Sequence, residues 1–336
     1  MDINHQPELT SAEVSALWTS YVQGTMIICG LKYFLAKVED PDISAVLSYA
    51  MEIMQQQVDT VKQIFEAENY PIPYGFTEDD VNENAPRLFS DTFFLVYILN
   101  MAKFTLAACG LAAGTSTRLD IVNFYKDCLD QSQELHIRSK KIALEKGIYV
   151  RPPHIPKPSQ VDFVTNQSFL TGWVGKRRPL LGIEITNIVT NIKRNAIGKA
   201  LIIGFSQVAS SKEVRKYMER GRDIAQKHVK VFSTLLNKEY LPVPRTWDHT
   251  VTDSTVAPFS DKLMMFHISA LIASGMGQYG MSMSVSPRRD LGLHYVRLSA
   301  EIAMYSEDGA NIMINNGWLE QPPIAVDRKA LARKKG

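Results

Sequence analysis

The sequence predicts an all-α protein made of two tandem four-helix bundles that arose by internal duplication. Three observations carry this. Phe89-Ser90-Asp91 recurs as Phe259-Ser260-Asp261, 170 residues further on, and "LEKGIYVRPP" (144–153) answers "INNGWLEQPP" (314–323) at the same offset. Upstream, Pro71-Ile72-Pro73 matches Pro242-Val243-Pro244, and Glu13 matches Glu184, at an offset of 171, so one residue is missing from the loop before Phe259. Finally, long apolar stripes step by three and four, as in Val214, Met218, Gly221, Ala225, His228, Phe232 and Leu235, and no alternating strand pattern of useful length occurs.

Each copy reads as four helices, A to D. Thr10-Ser11-Ala12-Glu13 is a capping box that opens helix A. Asp40-Pro41 gives helix B an N-cap and a first-turn proline. Ser90 is expected to cap helix C, and the cluster Thr115 to Thr117 to open helix D, which Gly147 stops. The second copy answers with Ser210-Ser211, Ser260, Ser286-Pro287 and Gly317. Helices of some 26 residues span roughly 40 Å. The expected bundles cover 9–155 and 180–325, with a Pro-rich linker over 156–179 and a basic tail over 326–336. Connectivity is open between up-and-down and ferritin-like, where a crossover joins B to C.

Composition narrows the function classes. Of 336 residues 45% are apolar and 21% charged, and the net charge is only +2, which argues against a nucleic-acid binder with a concentrated basic face. The apolar stretch Phe93 to Gly114 carries Lys103 near its middle, where a lysine costs roughly 2.5 to 3.5 kcal/mol in a bilayer. A buried bundle helix, not a membrane span, is the expectation. Cys29, Cys109 and Cys128 have no metal-type spacing and read as reduced core thiols. The opening Met1-Asp2-Ile3-Asn4 is polar and lacks a signal peptide's basic start, so a cytoplasmic protein is expected.

The strings "APRLFSDTF", "FSDKLMMFH", "GFSQVASSKEVRKY", "RRPL" and "EDGANIMINNGWLEQPP" resemble the Bacillus-type proteins catalogued as domain of unknown function 3231. The resemblance runs from about Leu9 to Ala332. It implies a duplicated bundle grouped with ferritin-like and spore-coat-type helical proteins, and it brings no activity with it.

A ferritin-like fold raises the question of a di-iron centre, which needs Glu-x-x-His on two helices; that motif is absent here. The candidate metal ligands are instead His228, His267 and Asp308, all in the second copy, whose first-copy counterparts are Gln57, Tyr97 and Arg138. In an up-and-down bundle these three would share one depth and suit one transition ion such as zinc or iron. The plainer reading makes both histidines hydrogen-bonded core residues. Gly275-Met276-Gly277-Gln278-Tyr279-Gly280 matches a dinucleotide pattern but sits inside a helix, so close helix packing is expected there. Met264, Met265, Met276, Met281 and Met283 read as core filling. Asp79, Asp80, Asn82 and Glu83 form an acidic loop without EF-hand spacing. Lys176-Arg177-Arg178 and Arg333-Lys334-Lys335 read as solvated basic runs. Three functions follow: a non-enzymatic structural or binding protein, a metal-dependent protein, or a carrier of an apolar small molecule. The partner would be another protein or a small ligand.

Overall fold

The structure, a computed structural model, describes residues 7–173 and 177–333; the opening tetrapeptide, Lys176, Lys334 and Lys335 fall outside them. The first half holds α1 (Ser11–Lys37), α2 (Pro41–Ala67), α3 (Asp91–Thr115) and α4 (Leu119–Glu145). The second holds α5 (Gly182–Val208), α6 (Lys212–Asn237), α7 (Asp261–Ser284) and α8 (Arg289–Asn315). A one-and-a-half-turn α9 (Arg328–Arg333) lies in the basic tail. Apart from two isolated bridges, the described residues contain no β-structure.

Most of the expected caps form. Thr10 and Glu13 close the capping box, and the Asp40 carboxylate accepts from the N–H groups of Asp42 and Ile43. Gly147 and Gly317 take φ of +66° and +67° just past α4 and α8, the left-handed geometry that ends a helix. Two expectations need correction. Ser260 caps α7 through its side chain, but Ser90 makes no such bond at α3. Helix D begins behind Arg118 and Arg288, without a side-chain cap, and the Thr115 to Thr117 cluster closes α3 instead.

End-to-end contacts fix the connectivity. The buried Glu13 carboxylate accepts from the N–H groups of Thr117 and Arg118, so the start of α1 meets the start of α4. Arg118 also pairs with Glu68 just past α2. At the opposite end, Asp91 at the start of α3 accepts from Glu39 and Asp40 between α1 and α2, and Lys146 after α4 pairs with Asp40. The loop from α2 to α3 therefore travels the length of the bundle, and the crossover route is the one taken. The second half repeats it: Arg288 pairs with Glu239 and Asp290, its N–H reaches Glu184, and Asp261 accepts from Ser210 and Ser211.

The two halves meet about a pseudo-two-fold axis formed by their crossover loops. Val81 bridges Phe259 while Phe89 bridges Val251, and each residue of one bridge is the repeat equivalent of a residue in the other. Ser90 N–H donates to Thr250 O, and Ser260 N–H to Asp80 O. The repeated Phe-Ser-Asp string is thus explained position by position. Its phenylalanine pairs with the other half, its serine N–H donates across the seam, and its aspartate ties the A–B turn. The acidic loop serves the same seam, since Asp80 accepts from Ser260 Oγ at 2.6 Å.

Two helices, α1 and α3, are long and apolar enough to cross a membrane by length and composition alone. In the fold both are bundle helices. α3 places apolar residues on nearly every side because one face packs in its own bundle and another against α5. All three cysteines are buried and free.

Candidate functional site

The crossover separates the residues that an up-and-down bundle would have joined. α6 and α7 run parallel from the same end, with His228 16 residues below the start of α6 and His267 6 below the start of α7. Ten residues of helix amount to roughly 15 Å of depth. Among the described residues no group of three or more His, Cys, Asp and Glu gathers where it could hold a metal.

His228 is fully buried on α6, with Nδ1 2.9 Å from the Tyr279 hydroxyl and Nε2 3.1 Å from Glu301 Oε2. Glu301 also accepts from Lys227 at 2.7 Å, and Asn195 donates to the Tyr279 oxygen at 2.9 Å. Burial lowers the imidazole's proton affinity, with Glu301 opposing it. Both ring nitrogens are engaged, so the ring offers no free position to a metal or substrate. The equivalent pair in the first half is Gln57 donating to Gln131 at 2.8 Å. Duplication has thus converted an amide pair into an imidazole–carboxylate pair, or the reverse, in one place.

His267 lies on the seam, where its Nε2 is 2.7 Å from the hydroxyl of Tyr97, its own repeat equivalent. Phe34 packs edge-on against Tyr97, and Phe205, the equivalent of Phe34, flanks His267 in the same way. Burial holds the imidazole down at about 4 and pushes the phenol up, so the proton stays on the phenol oxygen. Asp308 is half-exposed and pairs with Arg220 at 2.6 Å. The carboxylate facing His228 is Glu301, two helical turns along the same stripe. The plainer reading of the histidines describes their environments, and the His228–His267–Asp308 donor set does not assemble.

The His267 environment carries a pH consequence. Its folded-state pKa lies below the ordinary histidine value of 6.5, so the unfolded chain binds the proton more readily between the two. The stability held by neutral His267 is complete above pH 6.5 and is lost as pH falls toward 4, by about 3 kcal/mol in total. Urea unfolding of His267→Gln should show a shallower loss across that window than wild type. Parallel slopes would contradict the assignment.

Near the seam a cavity of about 100 Å³ opens between α3 of the first half and the helices of the second. Its walls are mostly apolar, including Ile202, Ile224, Ile268, Ile272 and Ile302, and Tyr97, Tyr279 and Tyr305 border it. Two polar atoms on its lining residues are buried without a partner: Asn191 Oδ1 and Arg194 Nη1. Of the glycine pattern on α7 only Gly275 lines this cavity, while Gly277 and Gly280 are exposed, so the pattern does not mark a tight helix crossing. A Cβ at Gly277 or Gly280 would meet nothing within 4 Å, and at Gly275 only Arg194, 3.7 Å away. Met264 and Met265 fill the core as expected, whereas Met281 and Met283 are exposed.

Arg194 is the residue that pattern reading passes over. A signal was present: Lys193-Arg194 interrupts an apolar helix, and no acid stands three or four residues away on either side.

The chain belongs to the family described as "Protein of unknown function (DUF3231)", whose profile matches residues 1–161 and again 168–331. The two matches are the two halves described above. Among solved structures, a candidate spore coat protein from Bacillus halodurans C-125 is similar over 45% of this chain and 98% of its own, at 20% identity and a TM-score of 0.41. No curated protein matches the chain.

Proposed function

We propose that the protein is a non-enzymatic binding protein that holds a small, largely apolar molecule in the cavity beside its seam. The observation that carries this is the cavity itself. Well-packed cores leave few voids larger than a water molecule, and a dry engineered void of about 150 Å³ binds benzene. Here a space approaching that size is apolar, lies at the junction of the halves, and retains two unpartnered polar atoms on its lining. Among the described residues the two buried histidines are already engaged, His228 between Tyr279 and Glu301 and His267 against Tyr97, which favours binding over catalysis.

Thermal denaturation with straight-chain alcohols tests the reading. Decanol at a hundred times its dissociation constant should stabilise the fold by about 2.7 kcal/mol. Ile272→Trp, which fills the space, should abolish the shift. Equal melting temperatures across hexanol to dodecanol would overturn the proposal.

A further inference from the structure

Against the first cavity lies a second, of about 140 Å³, walled by α3, α4, α5 and the segments 148–150 and 244–247. The two share Asn100, Arg194 and Ile197. The second is cationic: Lys103, Lys193, Arg194 and Arg245 line it, together with His136, and no aspartate or glutamate does. Buried cations elsewhere have carboxylates, as Arg118 has Glu68, Lys199 has Asp248 and Arg288 has Asp290. Among the described residues Lys193 and Arg194 have none. The Arg194 guanidinium lies over the Phe104 ring at 4.4 Å and gives one hydrogen bond to Ser274, leaving Nη1 buried and unpartnered. Lys193 donates only to the Val150 carbonyl and sits over the Tyr149 ring. Burial without a counter-ion lowers the pKa of Lys193 to about 8 and of Arg194 to about 10.

The duplication supplies an internal control. Across the pseudo-two-fold axis, Val96, Ala143 and Val150 correspond to Phe266, Met313 and Glu320, while Lys193 and Arg194 correspond to Val22 and Gln23. On that side Phe266 packs on Phe76 with ring centres 5.1 Å apart, and Met313 is buried against Ser269. The Glu320 carboxylate accepts from the N–H groups of Tyr74 and Gly75 at 2.9 and 2.6 Å. One side is thus filled and carries its own carboxylate. The other has small side chains, excess cations and no carboxylate.

We propose that the cationic cavity binds the carboxylate of a medium-chain amphipathic monoanion whose apolar chain enters the neighbouring cavity. The proposal rests on the apolar cavity being a ligand site and names the ligand class. Arg194 Nη1 and the Lys193 ammonium supply charge-assisted hydrogen bonds to the head, and the isoleucine walls receive the tail.

Calorimetric titration with sodium decanoate, decanol and inorganic phosphate tests it. Wild type should bind decanoate at least about tenfold more tightly than decanol, the effect of one charge-assisted bond. Arg194→Gln, which copies Gln23, should bring decanoate down to the affinity of decanol. Val150→Glu, which copies Glu320, should place a resident carboxylate at the cations and abolish the preference for decanoate while decanol still binds. If decanol binds wild type as tightly as decanoate, the charge recognition is wrong and the apolar site survives. If neither binds, both readings fall. Phosphate binding as tightly as decanoate would reduce the site to one for bare anions and overturn the proposal.

Discussion

Arg288→Ala should cost about 3–5 kcal/mol in urea unfolding, because it breaks a buried ion pair and leaves charge behind. Arg288 is 1% exposed and holds the Asp290 carboxylate at 2.9 and 3.0 Å, with further bonds to Glu239 and the Arg178 carbonyl. Asp290 is itself nearly buried, and without the guanidinium it keeps only the longer pairing with Arg177, 3.8 Å away. Arg118→Ala removes the equivalent clasp from the first half and should cost less. Its partners Asp120 and Glu68 are 44% and 25% exposed at the side chain, so water takes over part of the lost interaction. Equal losses for the two variants would show that side-chain burial does not set the cost.

Phe89→Ala should cost a similar amount, about 3–5 kcal/mol, through the cavity it opens. Phe89 is fully buried, stacks on Phe93 with ring centres 4.3 Å apart, and lies against Gly204 of the other half. Gly204 occupies the place of Tyr33 in the repeat, and there a Cβ would come within 2.5 Å of the Phe89 ring. The other half mirrors the arrangement with different atoms, as Phe259 meets Tyr33 edge-on at 5.3 Å. A loss below about 1 kcal/mol would mean that the crossover loops touch without sharing a core.

The sequence disclosed the helices and the duplication because both are written in local and periodic terms. Caps sit within three residues of what they cap, and the repeat compares the chain with itself. Connectivity was not legible. A loop of some twenty residues allows either route, and the choice rests on Glu13 meeting Arg118 and on Asp91 meeting Asp40, contacts between residues 105 and 51 positions apart. That choice undid the expected metal site, since it set His267 roughly 15 Å in depth from His228. The constant offset nonetheless held the key to His267, whose partner is its own repeat equivalent, Tyr97. Residues that coincide on a pseudo-two-fold axis must be neighbours, but only a structure says where the axis runs. The second cavity was hidden for a related reason. It depends on what Val96, Ala143 and Val150 do not fill, and absence of volume has no sequence pattern until the two halves are laid over one another.

The central claim, that the seam is a binding site for a small amphiphile, is tested most directly by a crystal structure grown with ω-bromodecanoate and measured at the bromine absorption edge. The account predicts an anomalous peak among Ile268, Ile272 and Ile302, with carboxylate density within hydrogen-bond distance of Arg194 Nη1. Bromine confined to the outer surface, with both cavities empty or holding only water, would contradict it.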